Sequence, residues 1–289
     1  MTASSAIDVR SLLARPDLAE LALEGLYPAQ TYRPTRPFTC IAGSALVLDG
    51  PEGEVMDQII FGEVFDVLET TGPMTWGRAR RDGVVGFVAV SALEESRTPP
   101  THRVSDLAAE VRSGPDVDFP VVLTLPMNAL VTIESDTGGW GAMPGQGWIE
   151  TRALKSFHEL ETEPVEVARR LEGAAHRSGW RTPDATDCAG LVQQALYACG
   201  LAGPRYADLQ ADLGREIDPA DKARGDLVIW LHEKGGPGWS GHSAFMLDAD
   251  RVLHASGDRG GVVIESLLDA DARYLATGFS PAVFRRLTA

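Results

Sequence analysis

Cysteine is scarce in this sequence: Cys40, Cys188 and Cys199 are the full set in 289 residues, and no two are spaced as CxxC. An odd, sparse set excludes a disulfide framework and a cysteine zinc site, so the thiols are expected to stay reduced, and no metal or cofactor is expected. The stretch from Cys188 to Cys199 reads as one helix, in which a rise of about 1.5 Å per residue separates the two by ~16 Å. A disulfide spans at most ~7 Å, so these two cannot pair. Basic charge is short as well, with 26 Lys and Arg against 41 Asp and Glu and a net charge of -15. That balance repels phosphates and anionic headgroups, so neither nucleic acid nor a membrane surface is an expected partner. There is no run of ~18 apolar residues to span a bilayer. The opening "MTASSAIDVRSLLARPDLAELALEGL" lacks a basic leader followed by an apolar run, so the expected location is the cytoplasm.

What is present is enough apolar side chain, 44%, to bury a core, and a length that suggests two or three domains. "RPDLAELALEGL" (15–26) reads as a short helix followed by a Pro-rich connector, giving a helical segment and connector over 1–36. Short strands split by Gly, Pro and Asp follow. A weak repeat runs through them, with Trp76-Gly77 and Gly86-Phe87-Val88 answered by Trp140-Gly141 and Gly147-Trp148-Ile149. Two tandem bacterial SH3-like barrels are expected, over 37–97 and 98–157. From 158 to 289 the texture changes to helices first ("PVEVARRLEGAA" and the stretch beginning at Cys188) and strands after ("GDLVIWL", "HSAFMLD", "RVLHAS", "GVVIES"). That order is α+β, with "SAFMLDADRVLHAS" a hairpin turning at Asp248 to Asp250.

The chemistry-bearing residues sit in this last region. Pro183, Asp184, Thr186 and Asp187 are helix-start signals, and Leu191, Val192, Ala195, Leu196 and Cys199 form an apolar stripe behind them. Cys188 therefore falls in the first turn, where unpaired backbone N–H groups and the helix dipole favour an anion. A thiol needs such help, since its free pKa of about 8.5 leaves it mostly protonated. The other reading is a small apolar residue filling a helix start. A nucleophilic cysteine also needs a base, and the hairpin offers His242 near the start of one strand and His254 near the end of the next. That places one as base and the other as the group orienting it. Each is also readable as an ordinary strand histidine.

The successive motifs "DCAGLVQ", "GDLVIW" and "GHSAFMLDADRVLHAS" resemble the NlpC/P60 family of papain-like bacterial cysteine peptidases. With the barrels, the resemblance extends over nearly the whole chain, toward subfamilies that cleave cell-wall peptides during recycling. It implies Cys188 as nucleophile, His242 as base and His254 as orienter. It also implies hydrolysis of the γ-D-glutamyl-diamino acid bond of short murein peptides, with Asp187 and Glu63 gripping a free L-alanine amine. Glu63 is also readable as a solvated acid on a barrel strand.

The chain departs from the family pattern in several places. "AAHRSGW" puts His176 where relatives carry a tyrosine near the developing oxyanion, so His176 is either an imidazole N–H donor to an oxyanion hole or a surface histidine. "DGVVGF" puts Val84 where a phenol would stand. Ala189 replaces a serine, and "LHEKGGPGWSGH" is a longer Gly-rich approach to His242. These departures leave open a second function, a non-catalytic peptide- or cell-wall-binding protein with a degenerate peptidase domain. An amidase or acyl-transferase on the same core is a third.

Overall fold

Residues 8–95, 98–232 and 241–287 are described by the structure, a computed structural model of the chain. The Gly-rich approach to His242 falls largely on 233–240 and so lies outside the described residues. Two compact units divide the chain, Met1–Pro99 and Pro100–Ala289.

In the first unit the N-terminal segment departs from the helical expectation. Leu18–Glu20 is a strand pairing in parallel with Thr31–Arg33, followed by one 3-10 turn, Leu21–Leu23. The reason lies in which leucines find a core. Leu13 and Leu18 pack with Leu68 and Trp76, while Leu21 and Leu26 stay exposed. Burial of two leucines and a backbone ladder outweigh the weak helix propensity of a short segment. Arg15 stacks on Trp76 at 4.1 Å and ion-pairs with Glu69 at 2.6 Å.

Behind this segment stands a seven-stranded sheet, ordered Val55–Ile60, Ser44–Leu48, Val85–Ala89, Met74–Ala79, Val64–Thr71, Arg36–Cys40, Leu93–Glu95. Its inward side chains, Val47, Ile59, Phe65 and Val88 among them, are fully buried. The second barrel holds a five-stranded sheet, from Val121–Pro126 through Ala108–Arg112, Gly147–Glu150 and Trp140–Met143 to Ser135–Thr137. A three-stranded sheet of Leu130–Val131, His102–Val104 and Leu154–Ser156 completes it. The repeat has a steric basis at its glycines. A Cβ on Gly86 would sit 2.6 Å from the carbonyl oxygen of Leu48, and one on Gly147, at φ +129°, would sit 2.3 Å from that of Arg112. In both barrels a neighbouring strand passes too close for a side chain.

The rest of the second unit has four helices among its described residues: α1 (Pro164–Arg169), α2 (Cys188–Ala198), α3 (Ala207–Gln210) and α4 (Leu267–Ala276). They pack on a nine-stranded sheet whose central strands, Gly261–Ser266, Arg251–Ser256, Gly241–Met246 and Leu227–Leu231, are antiparallel neighbours. The hairpin turns where expected, with Asp248 Oδ1 accepting the backbone N–H groups of Asp250 and Arg251.

Helix α2 is buried on all sides from Ala189 to Ala198, beyond the single stripe read from its apolar residues. Its two glutamines are hydrogen-bonded inside the protein: Gln193 Nε2 donates to Gly203 O at 3.0 Å, and Gln194 Oε1 accepts from Asn128 Nδ2 at 2.9 Å. Leu191, Val192 and Leu196 join α1 and Phe245, Leu253 and Ala255 of the sheet in one core, which also takes Met127 from the second barrel. At about 1.5–3 kcal/mol per fully buried large apolar side chain, this core anchors α2 and thereby the position of Cys188. Among the described residues no helix is long and apolar enough to cross a membrane.

Candidate active site

Asp187 begins the site. Its backbone is extended (φ −93°, ψ 177°) and its Oδ1 accepts the Gly190 N–H at 2.7 Å, a helix N-cap that puts Cys188 at the first helical position. Gly190 has to lack a side chain, because a Cβ there would lie 2.6 Å from Trp180 O. The same carboxylate accepts the Gly179 N–H at 2.8 Å and takes a two-pronged ion pair from Arg205, at 2.9 and 2.6 Å. Four hydrogen bonds occupy the four acceptor directions of Asp187.

The backbone N–H groups of Ser243 and Ala189 lie close enough to the Cys188 sulfur to act on its thiol, each lowering its pKa. Ser243 directly follows His242, so the central helix and the Gly241–Met246 strand bring sulfur and imidazole to adjacent backbone positions. The His242 ring is buried and stacked on Tyr274 of α4, with centroids 4.4 Å apart and planes 26° apart. Its Nε2 meets His254 Nδ1 at 2.7 Å. His254 is fully buried, and its other nitrogen, Nε2, lies 2.7 Å from Glu265 Oε1. Glu265 is held in turn by Arg259, at 3.1 Å, and by both terminal nitrogens of Arg273. His242 and His254 are thus in contact, with Glu265 beyond them, and Cys188 lies near Ser243, the residue that follows His242.

Burial is the first influence on these groups. It pushes the Cys188 thiol up to about 11, reinforced by the Asp187 carboxylate and opposed by the Ser243 N–H, the Arg205 charge and the Ala189 N–H. The helix-start effect expected from the sequence is therefore outweighed, and the sulfur rests as a thiol. Burial also lowers His242 well below its ordinary value, helped by the charges of His254, His176 and Arg273 and opposed by Glu265. For Glu265, burial acts upward, yet the hydrogen bonds from His254 and Arg273 hold it well below the usual carboxylate range. The resting site is a neutral thiol and a neutral imidazole beside a fixed carboxylate.

His176 stands in a two-residue strand beside Ala185–Thr186, opposite Thr186 and so two positions from the nucleophile candidate in register. It is half-buried rather than a free surface side chain, and burial lowers its pKa against the pull of Asp187 and Asp258, so it is a neutral ring with one N–H to donate. Glu63 belongs to the first unit. It is buried rather than solvated, with Oε2 accepting the Ile60 N–H and Oε1 taking Arg81 Nη1, each at 3.1 Å. Val84 is buried. Among the described residues no three His, Cys, Asp or Glu side chains gather to hold a metal ion.

Sequence reasoning passed over Glu265, Arg273, Tyr274 and Arg205. Glu265 carried a signal, as an acid in the otherwise apolar strand "GVVIES". The register reveals its meaning: His254 pairs with Val263, which makes Glu265 the diagonal neighbour of His254 on the same sheet face.

A cysteine at the start of a central helix packed on a histidine-bearing antiparallel sheet defines a papain-like α+β domain. The chain carries a domain of the NlpC/P60 family, whose model matches residues 173–276. The model of the bacterial dipeptidyl-peptidase SH3 domain matches residues 47–93. A crystal structure of an NlpC/P60 family protein from Bacillus cereus ATCC 10987 superposes with a TM-score of 0.74 at 14% identity, covering 88% of this chain and 100% of that one. An NlpC/P60 endopeptidase from Photobacterium damselae subsp. piscicida gives a TM-score of 0.60 at 10% identity, covering 92% and 76%. These two likenesses speak to the fold. In sequence, the peptidoglycan endopeptidase RipB of Mycobacterium tuberculosis is 34% identical over 99 residues, 34% of this chain and 36% of the relative. The matched stretch thus spans about a third of that relative's length.

Proposed function

We propose that the protein is a cysteine peptidase of the bacterial cell wall, hydrolysing the γ-D-glutamyl-diamino acid bond of short murein peptides. The observation that carries this reading is the buried pair of rings on neighbouring strands, His242 Nε2 and His254 Nδ1 at 2.7 Å, with Ser243, the residue after His242, near enough to act on the Cys188 thiol. The family match and the peptidoglycan activity in RipB's name support the substrate class. The dipeptidyl-peptidase type of the SH3 domain supports short peptides.

In this mechanism His242 takes the thiol proton on Nδ1, the nitrogen nearer its own backbone and left over from the His254 contact. The sulfur attacks the γ-glutamyl carbonyl as the proton leaves, because a resting thiol at about 11 holds little thiolate at neutral pH. The Cys188 backbone N–H and a His176 ring N–H stabilise the oxyanion. His242 then returns the proton to the departing diamino-acid amine, and water, activated by the same ring, hydrolyses the thioester. His254 orients the base throughout. Within the same reading the charge of Asp187 attracts the L-alanine amine, its acceptor directions being filled already by Gly179, Gly190 and Arg205. Recycling of murein fragments in the cytoplasm is the setting that short free peptides suit.

The test is incubation with L-Ala-γ-D-Glu-meso-diaminopimelate. Release of L-Ala-γ-D-Glu by the wild type and none by Cys188→Ala is expected, and no release by either rejects the peptidase reading. N-acetylation of the alanine is expected to depress cleavage. Equal cleavage of both substrates removes the role of Asp187 toward the amine.

A further inference from the structure

Tyr274 is a buried titratable group that the reaction described above leaves unused. We propose that it is a positioning residue: the face of its phenol ring holds the His242 imidazole in place and attracts the positive charge that this imidazole acquires on taking the Cys188 proton. The consequence for rate rests on the peptidase reading; the stack of the two rings does not.

Among the rings bordering His242 in the described residues, Tyr274 lies closest and most nearly parallel. Its centroid is 4.4 Å away with planes 26° apart, against 4.9 Å and 89° for His254 and 5.9 Å and 47° for Trp230. The face of an aromatic ring is negative, so it attracts an imidazolium far more than a neutral imidazole. Both side chains are buried, so little water screens that attraction. The gain therefore falls on the state in which His242 holds the thiol proton. That state is otherwise disfavoured, because burial lowers His242 well below its ordinary value and raises the Cys188 thiol to about 11. The Glu265 carboxylate acts for the cation, while His254, His176 and Arg273 act against it.

The phenol is held in the stack from several sides. Tyr274 and Ala270, one turn earlier, are the buried residues of α4. Asp271 of the same helix accepts the Trp230 indole N–H at 2.9 Å, and Trp230 stands opposite His242 in the strand register, so helix and sheet are tied together beside the two rings. Trp230 and Phe279 close around the phenol, with centroids at 4.9 and 5.2 Å. Arg273 also lies over the Tyr274 ring, at 5.0 Å, but its charge is met by the carboxylates of Glu265 and Asp258. Burial raises the Tyr274 hydroxyl, and Cys188 is near enough to raise it further, so the ring stays a neutral phenol. His176 is neutral at pH 7, and Asp187 is ion-paired with Arg205.

The test compares Tyr274→Phe with the same variant carrying mono-, di- and trifluorinated phenylalanine, which nearly keep the size of the ring and progressively strip its face of negative charge. On the murein tripeptide, kcat is expected to fall with each added fluorine, by roughly threefold to tenfold over the series, the range of a desolvated cation–π contact. KM is expected to stay within about twofold, since Tyr274 acts through His242 and not on the peptide. Stability to urea is expected to stay level, because the resting imidazole is neutral and gains nothing from a negative face. A ring that serves packing alone gives a kcat independent of fluorination, and that result with an active wild type overturns the proposal while leaving the peptidase reading in place. A wild type that cleaves no murein peptide overturns the peptidase reading and the role of Tyr274 together.

Discussion

Replacing Arg205 by methionine tests whether the Asp187 carboxylate beside the nucleophile depends on its buried partner. The Arg205 side chain is 2% exposed and that of Asp187 15%, and the pair closes at 2.6 Å. Removing one partner of a buried pair costs about 3–5 kcal/mol, because the remaining charge is left uncompensated in a poorly hydrated place. The partial exposure of Asp187 puts the expectation at the lower end, about 3 kcal/mol. For a unit of this size, at about 2–4 °C per kcal/mol, that is a fall in Tm of roughly 6–12 °C. Asp187→Asn keeps an N-cap side chain for Gly190 but strands Arg205, so it too is destabilising. Urea denaturation of Arg205→Met, Asp187→Asn and the double variant closes a cycle in which other Arg205 contacts, such as its approach to the Tyr206 ring, cancel. The double variant is expected to lose less than the sum of the singles by at least about 2 kcal/mol. Arg205→Met should also slow alkylation of Cys188, since the Arg205 charge acts to lower that thiol. Single losses that add within about 0.5 kcal/mol would refute the reasoning and reduce the contact to a surface-like pair.

Two further outcomes follow from the site and its support. Because burial raises the Cys188 thiol from 9.0 to about 11, its folded form favours the proton; the associated stability is present below pH 9 and is lost as pH climbs toward 11. Alkylation of Cys188 by iodoacetamide in the free protein should accordingly rise about tenfold per pH unit between pH 7 and 9, and a plateau already reached at pH 7 would mean a resting thiolate instead. Asn128, at φ 67° and fully buried, donates to Gln194 O and Gln194 Oε1 at 2.8 and 2.9 Å. Asn128→Ala loses both bonds and forces a Cβ residue into the left-handed region, so it should cost about 1 kcal/mol more in urea denaturation than Asn128→Gly; equal losses would show that the backbone conformation is not under strain.

Much of the architecture was legible in the order of residues because its signals are local. Helix-start residues ahead of Cys188, alternating strands on either side of Asp248 to Asp250, and glycines recurring beside aromatic residues each report on a few neighbouring positions, and the elements they announced are present. The exception, residues 15–26, failed for a reason a local pattern does not carry: Leu13 and Leu18 are claimed by Leu68 and Trp76, some fifty residues away. The same division runs through the site. Which residue types are available, Cys188, His242, His254 and His176, was readable from the chain alone, and so was the hairpin that joins two of them. Their ionisation depends on burial and on charges arriving from elsewhere in the chain, Arg205 from the loop before α3 and Arg273 from α4, so only the tertiary structure turned an expected thiolate into a thiol. Strand register, which no single strand encodes, put Glu265 diagonally beside His254, with Oε1 2.7 Å from its Nε2.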